Sequence, residues 1–183
     1  MSPKPKLIIL NGFAGSGKTT IAKRYIDAHP LAINIEGDEI IAMIGKWKTN
    51  YKKARVCVYE HTKIIIATHL KLRYDVVVPY LLVDASHAEV FEKIAAENSS
   101  NFYEILLYTE KEEAIKRLME RGTWGEKDLP DLTEKDIPKI TDLFDRLVKA
   151  TAKRPNTITL KVRKDDIDGT YRDFKEIIEN KGV

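Results

Sequence analysis

Cysteine is almost absent from this 183-residue chain: Cys57 stands alone, which excludes an internal disulfide and a cysteine-built metal centre. Long apolar runs are missing as well. None approaches the roughly 20 residues that span a bilayer, and the basic start "MSPKPK" lacks a signal-peptide core. A cytoplasmic protein without membrane attachment is the expectation. No guanine-reading N-K-x-D motif occurs, and no strand closes on the paired acids of a motor-type ATPase. Internal repeats, low-complexity tracts and interdomain linkers are also lacking, so one compact domain over residues 1–183 is expected. Acids are scarce in one segment in particular. From Lys46 to Tyr74 there are eight basic residues (Lys46, Lys48, Lys52, Lys53, Arg55, Lys63, Lys71, Arg73) against the single acid Glu60, although the whole chain carries only +3.

What is present is an alternation of short apolar runs with helical periodicity. "KLIIL", "LAINI", "DVVVPYLLV", "FYEILLY" and "TITLKV" read as strands; helical patterns follow each. The region from about 39 to 74 reads as helical with a break near residues 46–50, and Pro79 is awkward for a central strand. The spacing points to an α/β fold, a parallel sheet with helices on both faces. In such sheets ligands bind beyond the carboxyl ends of the strands.

The strongest signal lies between the first strand and first helix, in "LIILNGFAGSGKTTIAKRY". Gly12, Gly17, Lys18 and Thr19 occupy the fixed positions of G-x-x-x-x-G-K-[ST]. Such a loop turns its backbone N–H groups inward around phosphate oxygens, with the helix dipole adding to the attraction. Gly12, Ala14, Gly15, Ser16, Gly17, Lys18, Thr19 and Thr20 are therefore the candidate nucleotide-binding residues; Lys18 is expected at the β- and γ-phosphates and Thr19 at Mg²⁺. Twenty residues beyond Lys18, "NIEGDEI" places Asp38 where the second strand ends. A carboxylate there is suited to accept the proton of an attacking hydroxyl, with Glu36 and Glu39 as alternatives and a helix cap as the plainer role.

With these motifs the chain resembles the small P-loop kinases that phosphorylate hydroxyl groups, the group of chloramphenicol phosphotransferase, gluconate kinase, zeta toxin and polynucleotide 5′-kinase. Adenylate kinase is a more distant relative. The resemblance implies a three-layer fold, a five-stranded parallel sheet in the order 2-3-1-4-5, a short lid near residues 122–133, and ATP with Mg²⁺ as cofactors. It identifies Asp38 as the base. It also implies that Arg117 and Arg121 of "IKRLMERGTW" flank the nucleotide, and that Arg154 or Pro155, before the fifth strand, borders the adenine. Independently, two guanidinium groups four residues apart are suited to neutralise charge on a transferred phosphoryl group. Asp84 of "VDASH" is a candidate carboxylate for Mg²⁺, with capping at Ser86 as its alternative.

The basic segment occupies the acceptor side of such a kinase. Lys46, Trp47, Tyr51 and Arg55, with Asp38, are candidate substrate-binding residues, and their charge points to an anionic acceptor. That acceptor is a small molecule or the end of a nucleic acid. Nucleoside monophosphate kinase activity, with Arg55 and Arg73 on the acceptor phosphate, is a neighbouring reading; the "DGfPR"-like signature it needs is replaced by "VDASH". A non-catalytic nucleotide-binding module or ATPase switch is the alternative of another class. His61 and His69 read as surface or packing residues, Trp47 and Trp124 more often as packing anchors than as ligand platforms, and no surplus apolar helix face argues for more than a monomer or weak homodimer.

Overall fold

The alternating faces of the first strand decide the architecture. In the computed structural model, which describes residues 3–124 and 131–180, β1 (Lys6–Gly12) buries Leu7 and Ile9 on one side and Ile8 and Leu10 on the other. A strand apolar on both faces must lie inside a helix-covered parallel sheet. It does: β1 pairs in parallel with β3 (Val76–Tyr80) and β4 (Asn101–Tyr108). The two-residue β2 (Ile33–Asn34) adds to β3, and β5 (Ile158–Lys161) to β4, giving the expected order β2-β3-β1-β4-β5. The second strand is thus shorter than its apolar run. Leu31 stands exposed in a left-handed conformation before it, and α2 (Gly37–Ala42) begins soon after.

One face is covered by α1 (Lys18–Ala28) and α7 (Ile167–Asn180), whose Ile21, Tyr25, Phe174 and Ile178 meet Ile8, Leu10 and Ile105. The other face holds two clusters. One joins α2, α3 (Tyr51–Lys71) and α4 (Ala85–Glu97) to the sheet through Ile41, Val58, Ile66 and Phe91. The second packs Phe13 and Leu106 against α5 (Lys111–Arg121) and α6 (Ile137–Ala152). The helical break expected near residues 46–50 is a 3-10 turn over Trp47–Asn50.

Pro79 sits inside a central strand without penalty, and the register shows why. Asp75 and Val77 accept bonds from Ile33 and Ile35, so alternation aims position 79 toward β2. By then β2 has ended, and no ladder partner is waiting for the missing N–H. Beyond Tyr80 the chain leaves the sheet, stapled by Asn11: its Oδ1 accepts from Leu82 N (3.0 Å) and its Nδ2 donates to Leu82 O. At the opposite edge Asp75 accepts from the Tyr25 hydroxyl (2.6 Å) and the Lys6 backbone.

Candidate active site

The turn between β1 and α1 is held open by close packing rather than by filling. A Cβ on Gly12 would lie 2.6 Å from Ser16 Oγ and 2.9 Å from the Leu107 carbonyl, so only glycine fits there. Gly17 has φ +90°, a conformation that side chains with a Cβ rarely adopt. The Ser16 hydroxyl is buried without a hydrogen-bond partner among the described residues. A buried orphan donor inside a glycine cradle is the signature of a place meant for anionic oxygens. Ala14 is half-buried against Phe13's cluster, and Thr20 lies exposed on the first turn of α1.

Lys18 closes the turn on itself, its ammonium donating to the Gly12 and Phe13 carbonyls at 2.8 Å each. Burial, aided by the Arg121 guanidinium and opposed by Asp38, pushes this ammonium down to about 8. Lys18, Asp38 and Arg121 therefore share one electrostatic neighbourhood, although they come from α1, α2 and α5.

The end of β2 supplies two carboxylates with different partners. Glu36, just outside α2, accepts from Thr19 Oγ1 (3.2 Å) and Asn34 Nδ2 (2.8 Å), with Lys23 Nζ at 3.7 Å. Asp38, on the first turn of α2, faces Arg55, whose guanidinium lies 3.7 Å from its carboxylate. Arg55 in turn spreads over the Tyr80 ring at 5.7 Å and donates weakly to its hydroxyl (3.5 Å). Gly37 sets this approach. A Cβ there would stand 3.3 Å from Val58 and 3.8 Å from Tyr80, so the helix carrying Asp38 sits hard against α3 and β3.

From the other side, α5 presents the arginine pair. Arg117 backs onto the loop, its Cβ 3.8 Å from where a Gly15 Cβ would be, and donates to Glu113 (2.8 Å). Arg121 donates to the Thr123 carbonyl (2.8 Å) just past the left-handed Gly122 that ends the helix. Residues 125–130 of the expected lid, with Gly125 and Pro130, lie outside the described residues. Trp124 packs into the α5–α6 cluster, with Lys139 Nζ 6.0 Å from its ring.

Two expectations are corrected, and a third residue takes the alternative role its sequence offered. Arg154 does not border the nucleotide loop. In a parallel sheet the segment before a strand lies at the amino edge, and there Arg154 pairs with Glu104 (3.0 Å) and Glu92 (2.7 Å) beside Asn101 and Phe102. The loop after β5 is the one that reaches the phosphate turn, with Ile167 Cδ1 3.1 Å from a Gly17 Cβ. Trp47 is no open ligand platform: it is buried in the α2–α3 cluster, 6.2 Å from the Tyr51 ring. Asp84 is engaged as the cap of α4, accepting from Ser86 N (3.0 Å) and Ser86 Oγ (2.8 Å), bonds that hold its carboxyl below the usual range. The carboxylate that touches Thr19 is Glu36, which the sequence offered only as an alternative base.

Lys46 is exposed in a left-handed turn, and Tyr51 opens α3 with its ring half out in solvent. Arg73 follows the far end of α3. Arg55 and Arg73 are 18 positions apart, nearly all of it along α3 at 1.5 Å per residue, so they stand on the order of 25 Å apart and cannot share one acceptor phosphate. His69 bonds the Leu31 carbonyl (2.8 Å), and no cluster of three metal-ligating side chains occurs among the described residues. No helix among them is long and apolar enough to cross a membrane.

Comparison with known proteins bears on the fold and the family. Among curated proteins the chain has no significant match. Solved structures share the fold at low identity. A chain of the Pnkp1/Rnl/Hen1 RNA repair complex superposes with TM-score 0.66 at 18% identity, covering 86% of this chain and 48% of that one. This chain therefore spans about half of that relative's length. A gluconokinase from Sinorhizobium meliloti gives TM-score 0.59 at 15% identity over 97% of this chain and 96% of its own. The Mycobacterium tuberculosis APS kinase CysC, solved with AMPPNP and APS, gives 0.62 at 15% over 97% and 99%. At such identity these likenesses establish the fold alone. The AAA_33 family model, described as an AAA domain, matches residues 7–147, taking in the phosphate loop, Asp38 and the arginine pair, and the chain belongs to that small P-loop kinase-like family.

Proposed function

We propose that this protein is a kinase that transfers the γ-phosphate of ATP to a hydroxyl group of a small, anionic acceptor. One observation carries the reading: Asp38 faces Arg55 at the start of α2, and both Asp38 and Arg121 act on the charge of the loop lysine Lys18. A nucleotide-binding module has no use for Asp38 and Arg55 there. A hydroxyl-directed kinase uses both.

In this reading the cradle N–H groups and the Ser16 hydroxyl hold phosphate oxygens. Lys18 leaves the Gly12 and Phe13 carbonyls for the β- and γ-phosphates. The acceptor oxygen attacks phosphorus and gives its proton to Asp38, the new O–P bond forms, and the bond to the ADP oxygen breaks. Arg121 and Arg117 neutralise charge on the moving group. Mg²⁺ takes hard oxygen ligands, and the Thr19 hydroxyl and Glu36 carboxylate, already in contact, fit it. Bound there, the ion would add charge neutralisation at the phosphates; Asp84, engaged with Ser86, is not needed for it.

On the acceptor side, residues 39–74 supply the anion-binding groups, with Arg55 foremost. A polynucleotide 5′-hydroxyl is a second acceptor reading, favoured by the cations that rim this side. A nucleoside monophosphate is disfavoured by the separation of Arg55 from Arg73. The test is ADP release from ATP in the presence of pooled metabolites and short oligonucleotides. Acceptor-stimulated release supports the reading; ATP binding with no acceptor raising turnover above basal would overturn it.

A further inference from the structure

Arg55 suffices for one anionic group, yet the segment leading into it carries further cations. Lys46, Lys52 and Lys53 are exposed and have no ion-pair partner among the described residues. Elsewhere the helices lace their lysines to acids one turn on: Lys93 with Glu97 on α4, Lys116 with Glu120 on α5, Lys175 with Glu179 on α7. The opening of α3 has no acid before Glu60. Lys52 and Lys53 stand, moreover, on the first turn of a 21-residue helix, where the dipole disfavours cations and an acid would be the stabilising choice. A stretch that works against its own helix is kept for something it meets. Tyr51, 38% exposed and 6.2 Å from the Trp47 ring, is the aromatic among these lysines.

We propose that the acceptor site opens into a track for single-stranded nucleic acid, Lys46, Lys52 and Lys53 meeting backbone phosphates beyond the hydroxyl-bearing end and Tyr51 stacking on a base. Backbone-following cations interleaved with an aromatic are what non-specific strand binding requires. The track starts at Asp38 and Arg55, so the terminal hydroxyl enters the proposed base while the following phosphates lie on the lysines. The inference rests on the kinase reading above in its second form, with a polynucleotide 5′-hydroxyl as acceptor.

The experiment compares acceptors of one, three, six and ten nucleotides with free terminal hydroxyls, reading ADP release at several salt concentrations. On this account kcat/KM rises with length to a plateau and falls with salt, with a log–log slope near −2 for about three phosphates at roughly −0.7 each. Charge reversal, Lys52→Glu with Lys53→Glu, lowers the six-mer to mononucleotide ratio of kcat/KM by about 10-fold or more. The milder Lys52→Gln with Lys53→Gln lowers the ratio in the same direction, and ATP titration confirms an intact donor site in both. Turnover independent of length, equal losses for long and short acceptors, or stimulation by acidic peptides or anionic vesicles in place of oligonucleotides would overturn the track. The kinase reading survives if a small acceptor is turned over without gain from length; it falls only if no acceptor at all stimulates ADP release.

Discussion

Lys18 shows how one side chain registers the state of the site. In the free protein it is bonded to two loop carbonyls, and its ammonium is pushed down to about 8 by burial and by Arg121. Triphosphate oxygens favour the charged form, so nucleotide binding raises this value. Above pH 8 the free lysine has partly lost its proton and the bound one has not, so binding takes a proton up. Calorimetry of ATP binding at about pH 8.5 in two buffers of different ionisation enthalpy should report uptake of more than roughly half a proton per site. Uptake should vanish near pH 6, where the free lysine is already charged. No uptake at the higher pH contradicts the assignment of Lys18 to the phosphates. At this scale the loop residues could be picked out because their chemistry depends on spacing, and Asp38 lies on the first turn of α2, close enough to act on the charge of Lys18. Glu36 was less readable because its role depends on a contact with Thr19, 17 residues away, that only the packing of α1 beside β2 creates.

At the scale of elements, two connections test opposite ends of the sheet. Gly12→Ala places a methyl 2.9 Å from the Leu107 carbonyl, a backbone atom that cannot step aside. The loop must deform, and ATP affinity should fall by about 100-fold or more, a loss of roughly 3 kcal/mol; equilibrium binding to the folded variant is the measurement. At the amino edge, Arg154 holds the buried Glu104 and the half-exposed Glu92. Arg154→Met leaves a buried carboxylate unpaired and should cost about 3 kcal/mol, roughly 10 °C in Tm, while ATP affinity stays as in the parent. Adding Glu104→Leu removes the stranded charge and should recover much of the loss. A drop in ATP affinity without a drop in Tm would return Arg154 to the nucleotide. Which end of the sheet a loop occupies follows from strand direction, not composition, and that is why "KRPNTITL" misled. Trp47 misled for a related reason: beside lysines it reads as a ligand platform, but the 3-10 turn directs its ring into the core.

For the whole molecule, the order β2-β3-β1-β4-β5 was legible because the resemblance rested on strand–helix alternation, and every strand overlaps its apolar run, β2 covering only two residues of its own. That order brings β1 and β3 side by side, which sets the loop after β1 and the start of α2, where Asp38 faces Arg55 of α3, beyond the carboxyl ends of neighbouring strands. The acceptor itself was not legible, since surface lysines read alike whether they face water or a ligand. The central claim is transfer to a hydroxyl with Asp38 as the base. Its most direct test is acceptor-stimulated ADP release by the parent and by Asp38→Asn, with ATP affinity measured alongside. The account predicts a loss of about 10²- to 10⁴-fold in acceptor-dependent kcat with ATP affinity within about twofold of the parent. Acceptor-dependent turnover in Asp38→Asn equal to the parent's would contradict it.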